Sequence, residues 1–174
     1  MHKKIQLMKK IVASTLLFLA LITPGQKIAH ADDKQSSFLL RLDCADAGIG
    51  NWGYRNENIV VGRAVYPSRF YMGAGDSSVS LTCRLQPNDK EVNFQNLQLA
   101  FGMEDNNRVS PNVNVNIYLD GILVTSQSVF SGKAESISLN VTNVRNVSIE
   151  TVCTNKLQYC DRVYFWDATL GIIP

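Results

Sequence analysis

The stretch Val113-Asn114-Val115-Asn116-Ile117-Tyr118-Leu119 alternates apolar and polar residues without a break, and that period of two is the constraint from which the rest follows. Alternation sends successive side chains to opposite faces of an extended chain, so one face can be buried while the other stays wet. Asp120-Gly121 comes next, and Ile122-Leu123-Val124-Thr125 opens a second β-rich run. Asp-Gly between two such runs predicts a hairpin, because a type I′ turn needs positive φ at both central residues. Similar runs occupy Phe38–Leu42, Ser78–Cys83, Leu97–Phe101, Ser136–Val141, Asn146–Glu150 and Arg162–Leu170, with Asn143 and Arg145 near a turn between two of them. The count is about eight strands. Beyond the first 31 residues no stretch joins a helix cap to a 3.6-residue period. The predicted class is therefore all-β, an antiparallel β-sandwich or jelly roll of about eight strands. Its core faces should include Leu81, Leu99, Phe101, Val115, Ile117, Ile137, Leu139, Val147 and Ile149.

The N-terminus has a different logic. Lys3, Lys4, Lys9 and Lys10 precede an apolar run of 12 residues, Ile11 to Ile22, and Ala29-His30-Ala31 follows. Charge, a short greasy stretch and Ala-x-Ala make a secretory signal peptide. The run is too short for the roughly 20 residues a membrane-spanning helix needs, so no membrane span is expected. Cleavage after Ala31 would leave residues 32–174 as a single disulfide-bonded domain of 143 residues, secreted to an extracellular or periplasmic space. With the leader go five of the 17 basic residues and no acid, so a formal charge of +2 becomes −3. Both histidines, His2 and His30, go too. A mature chain without histidine cannot run Ser-His-Asp or Cys-His catalysis and cannot offer histidine to zinc. A slightly acidic chain with scattered cations also lacks the electrostatic footprint of a nucleic-acid binder. Carboxylates are present for glycoside hydrolysis, but no Gly-x-Ser-x-Gly elbow is, and no enzyme activity is expected.

Four cysteines, Cys44, Cys83, Cys153 and Cys160, remain after cleavage. An even number in an exported chain reads as two disulfides, and there is no Cys-x-x-Cys spacing to suggest a metal. Three pairings are possible, and sequence does not choose among them. The favoured one joins Cys153 to Cys160 around the short loop Thr154–Tyr159 and Cys44 to Cys83.

Four segments then fall in a telling order. Tyr71-Met72-Gly73-Ala74-Gly75-Asp76-Ser77-Ser78-Val79 leads from glycines into a Ser-rich strand. Phe94 opens a strand that ends in Phe101-Gly102-Met103-Glu104-Asp105. Ile117-Tyr118-Leu119-Asp120-Gly121 is followed by Ser126, and Phe165-Trp166-Asp167-Ala168 closes the series. This order resembles the NPCBM family of secreted carbohydrate-binding modules over about 105 residues, Tyr66 to Leu170. The resemblance implies a β-sandwich of the galactose-binding type and a glycan ligand. Members of that family often carry a His just before the Ser-rich strand, where this chain has Gly75. They also tend to have His-Ala-Asp ahead of the closing Trp, where this chain has Val163-Tyr164-Phe165.

A sugar site needs an aromatic face and a few fixed polar groups. Gly50–Asn56 reads as a Gly- and Asn-rich loop in which Trp52 and Tyr54, with Asn51, Arg55 and Asn56 beside them, would form a platform. The alternative is that Trp52 plugs the end of the sandwich. Trp166 is expected inside a strand, in the core or on a sheet face, with ligand contact as the less ordinary role. Glu104-Asp105-Asn106-Asn107 offers hard oxygens to calcium or to sugar hydroxyls, or is a plain turn. Asp43, Asp105 and Asp167 are the oxygen donors that folding would gather for a structural calcium, with Asp46 and Asp76 as further donors. Two binding functions compete, with a structural envelope protein that takes no small ligand as a third, blander possibility. One is a non-catalytic, lectin-like protein that binds a glycan or cell-envelope polysaccharide. The other is an adhesin, inhibitor or toxin component that docks on a secreted or host protein.

Overall fold

The computed structural model describes residues 36–86, 93–105 and 110–172. The predicted leader and its cleavage site lie outside them, as do Asn106 and Asn107. The strands are β1 (Ser36–Phe38), β2 (Cys44–Gly48), β3 (Asn51–Val61), β4 (Ala64–Gly73), β5 (Ser78–Arg84) and β6 (Asn96–Met103), then β7 (Val113–Leu119), β8 (Ile122–Val129), β9 (Ala134–Asn140), β10 (Asn146–Cys153) and β11 (Val163–Gly171). They form two antiparallel sheets. One runs β3-β4-β11-β6-β9 with β1 beside the end of β11, and the other runs β2-β5-β10-β7-β8. The described residues thus build the predicted β-sandwich, with eleven strands rather than about eight.

The core lies between the sheets and is fed by the alternating residues. Leu81, Leu99, Phe101, Val115, Ile117, Val147 and Ile149 are buried as expected, while Ile137 and Leu139 are only half-buried against the core. Those two sit on β9, at the edge of its sheet, where no further strand pairs with it among the described residues. Phe165 stacks on Phe70 at 4.5 Å and lies 5.2 Å from Phe101, which puts three aromatic rings from three neighbouring strands at the centre. The Asp120-Gly121 turn forms with φ of 47° and 82°, the positive pair a type I′ turn needs. Its carboxylate accepts from the backbone N–H of Asn146 at 2.9 Å, tying the hairpin to the start of β10.

Two expectations are corrected. Phe38–Leu42 is not one strand: β1 ends at Phe38, and a 3₁₀ turn, Leu39–Arg41, drops Leu39 and Leu40 into the core. More consequentially, Gly50–Asn56 is not a loop, because Asn51 begins β3 and pairs with β4 in a long hairpin. Most residues of this part of β3 are exposed, so no alternation of apolar and polar residues was imposed on the sequence there.

That hairpin does something unusual. Its first half pairs with β11 through Phe70–Met72, but β4 then leaves β11, and β1 takes the vacated edge at Thr169–Gly171. The far half bends over the outer face of its own sheet. There Ile59 and Val61 are buried with Tyr164 and packed by Tyr66, Tyr71 and Trp166, a second small core outside the sandwich. Gly102 makes room for it: a Cβ on that residue would lie 3.0 Å from Val61 and 3.1 Å from Trp166. The tip is fastened by Asp105, whose two carboxylate oxygens accept from the N–H groups of Gly62 at 2.8 Å and Arg63 at 2.9 Å. Arg63 holds φ at 67°, a conformation unfavourable for a side chain with Cβ, so the turn depends on that anchor. Asp105→Ala should lower stability by about 1–2 kcal/mol, the loss of two charge-assisted hydrogen bonds at an exposed site. Urea unfolding reads this as a lower midpoint at unchanged slope; an unmoved midpoint would show that the tip holds itself.

Candidate functional site

The sequence-predicted residues are dispersed by the fold. Trp52 and Tyr54 form an edge-to-face pair at 5.9 Å, but Trp52 is half-buried against the core and the Tyr54 hydroxyl donates to the Leu40 carbonyl at 3.2 Å. Arg55 is ion-paired with Glu57 across a bulge in β3. Asp105 is committed to the hairpin tip, and Asn106 lies outside the described residues. Asp167 accepts from the Thr169 hydroxyl. Among the described residues no three Asp, Glu, His or Cys side chains are grouped to hold a metal, so Asp43, Asp105 and Asp167 are not assembled into a calcium site. A calcium ion would have to find other oxygens. Trp166 does face out of the sandwich, stacked on Tyr66 at 4.1 Å.

A different group converges at one end of the six-stranded sheet. Across β3, β4, β11 and β6 the register sets Gly53 beside Tyr71, Tyr71 beside Tyr164, and Tyr164 beside Gly102. Two tyrosines thus lie in a row between glycines, and the Tyr71 ring uses the space that the missing side chain of Gly53 leaves. The Arg162 guanidinium sits over the Tyr71 ring at 4.1 Å. Burial, and then the Glu104 carboxylate, push the Tyr164 phenol above its ordinary range against the opposing effect of Arg162 and Arg55. Tyr164 therefore remains a neutral hydroxyl through the physiological range and can donate or accept.

Beside this row the Cys153–Cys160 disulfide closes a tight loop. Asn155 holds the loop's turn, accepting from Leu157 N–H at 3.0 Å through its side chain. The loop presents Tyr159, which is 66% exposed. Cys160 N–H donates to the Gly75 carbonyl at 2.7 Å, and Gly75 itself has φ of 66°. A Cβ at Gly75 would stand 3.4 Å from the Tyr159 ring. Gly75 thus lies against Tyr159, and Tyr159 and Tyr164 border the same hollow. Between them opens a pocket of about 270 Å³ lined by Glu104, Tyr159, Asp161, Arg162 and Tyr164. It combines an exposed ring, a cation, two carboxylates and a hydroxyl, the set that reads a ring of hydroxyl groups. Sequence reasoning passed over Tyr159 and Arg162. The signal available was a tyrosine held inside a short disulfide loop just before the closing strand.

A second, larger cleft of about 590 Å³ lies where β4 parts from β11, lined by Asn56–Asn58, Pro67–Arg69 and Trp166.

Both disulfides form with the favoured pairing, Cys44–Cys83 and Cys153–Cys160. They fit an oxidising, extracellular compartment. No helix among the described residues is long and apolar enough to cross a membrane.

No protein-family model and no curated protein matches the chain. Among solved structures, the fold is similar to the CBM51 module from a Clostridium perfringens GH95 protein in complex with methyl-galactose, with a TM-score of 0.58 and 13% identity over 78% of this chain and 99% of that one. It is also similar to the tandem CBM51 modules of a family 98 glycoside hydrolase from Streptococcus pneumoniae, with a TM-score of 0.63 and 16% identity over 80% and 48% of the two chains. A third match is the structure of CBM51-2, in complex with GlcNAc, and the INT domains of Clostridium perfringens ZmpB, with a TM-score of 0.60 and 11% identity. It covers 79% of this chain, which spans 31% of the matched one. At these identities the likeness is one of fold, the sandwich expected from the resemblance to carbohydrate-binding modules.

Proposed function

We propose that the protein is a secreted, non-catalytic, lectin-like module that binds a glycan at the Tyr159–Arg162–Tyr164 pocket. The observation that carries this reading is the pocket itself, where the exposed Tyr159 ring lies beside Glu104, Asp161, Arg162 and Tyr164. Tyr159 offers its face to the apolar side of a pyranose, while Arg162, Glu104 and the Tyr164 hydroxyl reach the hydroxyls. Neighbours of the same fold hold methyl-galactose and GlcNAc, which makes those two sugars the first probes.

The test is a glycan array on the oxidised protein with and without calcium, followed by titration of the best hit. Tyr159→Ala should weaken binding at least tenfold, equivalent to about 1.4 kcal/mol. Its thermal transition should stay in place, since Tyr159 is mostly exposed. Unchanged affinity in both Tyr159→Ala and Arg162→Ala would remove the site. Calcium dependence of the melting temperature would support the structural-calcium expectation.

The second reading is a protein-docking module. It is favoured by one observation: Ile122, Leu123 and Val124 are 70%, 52% and 43% exposed at the start of β8, an edge strand with no charged residue. Such an edge is open to pairing with another chain. A blank array from folded protein would move the search to pull-downs with a variant carrying Leu123→Lys as control.

A further inference from the structure

The larger cleft is independent of the first pocket and has its own construction. Two bulges front it. In β3 the register slips between Tyr54 and Glu57, and in β11 it slips between Phe165 and Asp167, leaving Trp166 as the extra residue. A bulge costs ladder hydrogen bonds and re-aims a side chain, and bulges gather beside functional sites. Here one bulge turns Asn56 and Glu57, and the other turns Trp166, toward the same concavity.

Its chemistry is donor-rich. The Glu57 carboxylate is neutralised by Arg55. Arg69 lies with its guanidinium over Phe38 at 4.9 Å, and no acid pairs with it among the described residues. A cation–π contact of this kind does not use up the guanidinium's fork of N–H donors, which matches a planar carboxylate. Asn56, Asn58 and Trp166 line the same cleft and add two side-chain amides and an indole N–H to it. We infer that this cleft is a second saccharide site, selective for a sugar bearing a carboxylate, such as a uronic acid. Arg69 takes the carboxylate, the amides and indole N–H take ring hydroxyls, and the exposed part of Trp166 meets the pyranose.

The experiment is a heteronuclear NMR titration of the ¹⁵N-labelled protein at low salt with methyl β-D-glucuronide, with the neutral methyl β-D-glucoside, and with sodium acetate. The glucuronide should move the Trp166 indole resonance and the amides of Asn56, Asn58 and Arg69, with a Kd at least tenfold below that of the glucoside. Arg69→Gln, at an exposed position, should bring the two sugars to equal affinity while the spectrum keeps its dispersion. An unmoved Trp166 indole resonance would overturn the inference, as would equal binding of both sugars by the unaltered protein. Acetate shifting the same resonances at the same concentration would also overturn it, by reducing the cleft to an anion hole. Tyr159→Ala should leave these shifts intact. Shifts at Trp166 with none near Tyr159 under any probe would sink the first proposal alone, and the reverse would sink this one alone.

Discussion

Phe165→Ala should destabilise the protein by about 3–5 kcal/mol, the usual cost of emptying a large aromatic site in a packed interior. The ring has no exposed surface, stacks on Phe70 at 4.5 Å and touches Phe101 at 5.2 Å. Removing it leaves Phe70 without its stacking partner and opens a void between strands that three hydrogen-bonded ladders hold apart, so collapse is restricted. A domain of this size has only about 5–15 kcal/mol in total, so the variant should retain little of it. Phe165→Leu keeps most of the volume and should cost about 1–2 kcal/mol. Trp166→Ala makes the useful contrast. Its neighbour in sequence faces the other way, into the outer cluster, and its loss should cost less than that of Phe165 despite the larger ring. Urea unfolding of the three variants checks the order; equal costs at 165 and 166 would contradict the two-faced reading of β11.

Replacing both Cys44 and Cys83 by serine should lower stability by about 4 kcal/mol. The bridge joins residues 39 apart, and a cross-link stabilises by the loop entropy it removes from the unfolded chain, which rises with the logarithm of loop length. Cys153 and Cys160 are only 7 apart, and the same relation gives about 2.5 kcal/mol for that pair. The order should reverse for binding. Cys44–Cys83 staples β2 to β5 and lies in the second sheet, away from the residues of the Tyr159 pocket, whereas Cys153–Cys160 closes the loop that presents Tyr159. The Cys153→Ser, Cys160→Ser variant should therefore lose glycan affinity while keeping most of its stability. Chemical denaturation paired with sugar titration separates the two. A stable Cys153/Cys160 variant with full affinity would mean that the loop is held by its hydrogen bonds alone.

Particular residues show where sequence reasoning was sufficient. The run Val113–Leu119 with Asp120-Gly121 gave strand, turn and buried face together, because each signal is local: alternation acts between neighbours, and the turn needs two residues tolerant of positive φ. The β3–β4 hairpin was missed for the opposite reason. Its turn is Gly62-Arg63, and arginine at positive φ carries no sequence signature of a turn. What permits it is the carboxylate of Asp105, 42 residues further on. Asp105 was expected to offer oxygens to a sugar or to calcium, or to sit in a plain turn; in the structure those oxygens accept from the backbone N–H groups of Gly62 and Arg63. The first half of β3 was equally opaque, since an edge strand wet on most positions has no reason to alternate.

The candidate pocket follows the same division. Four cysteines without histidine or metal spacing were enough to predict two disulfides, and the structure carries the favoured pairing. That Tyr159 meets Gly75 across 84 positions of sequence, or that Arg162 settles over Tyr71, depended on which strands became neighbours. By itself the sequence determined the all-β class, the hairpin at Asp120-Gly121 and most of the core, because period, turn chemistry and hydrophobicity are properties of adjacent residues. Only the tertiary structure decided the site. Strand order, two bulges and a hairpin bent over its own sheet bring distant residues within a few ångströms, and contacts of that kind arise from packing against partners that no local pattern names.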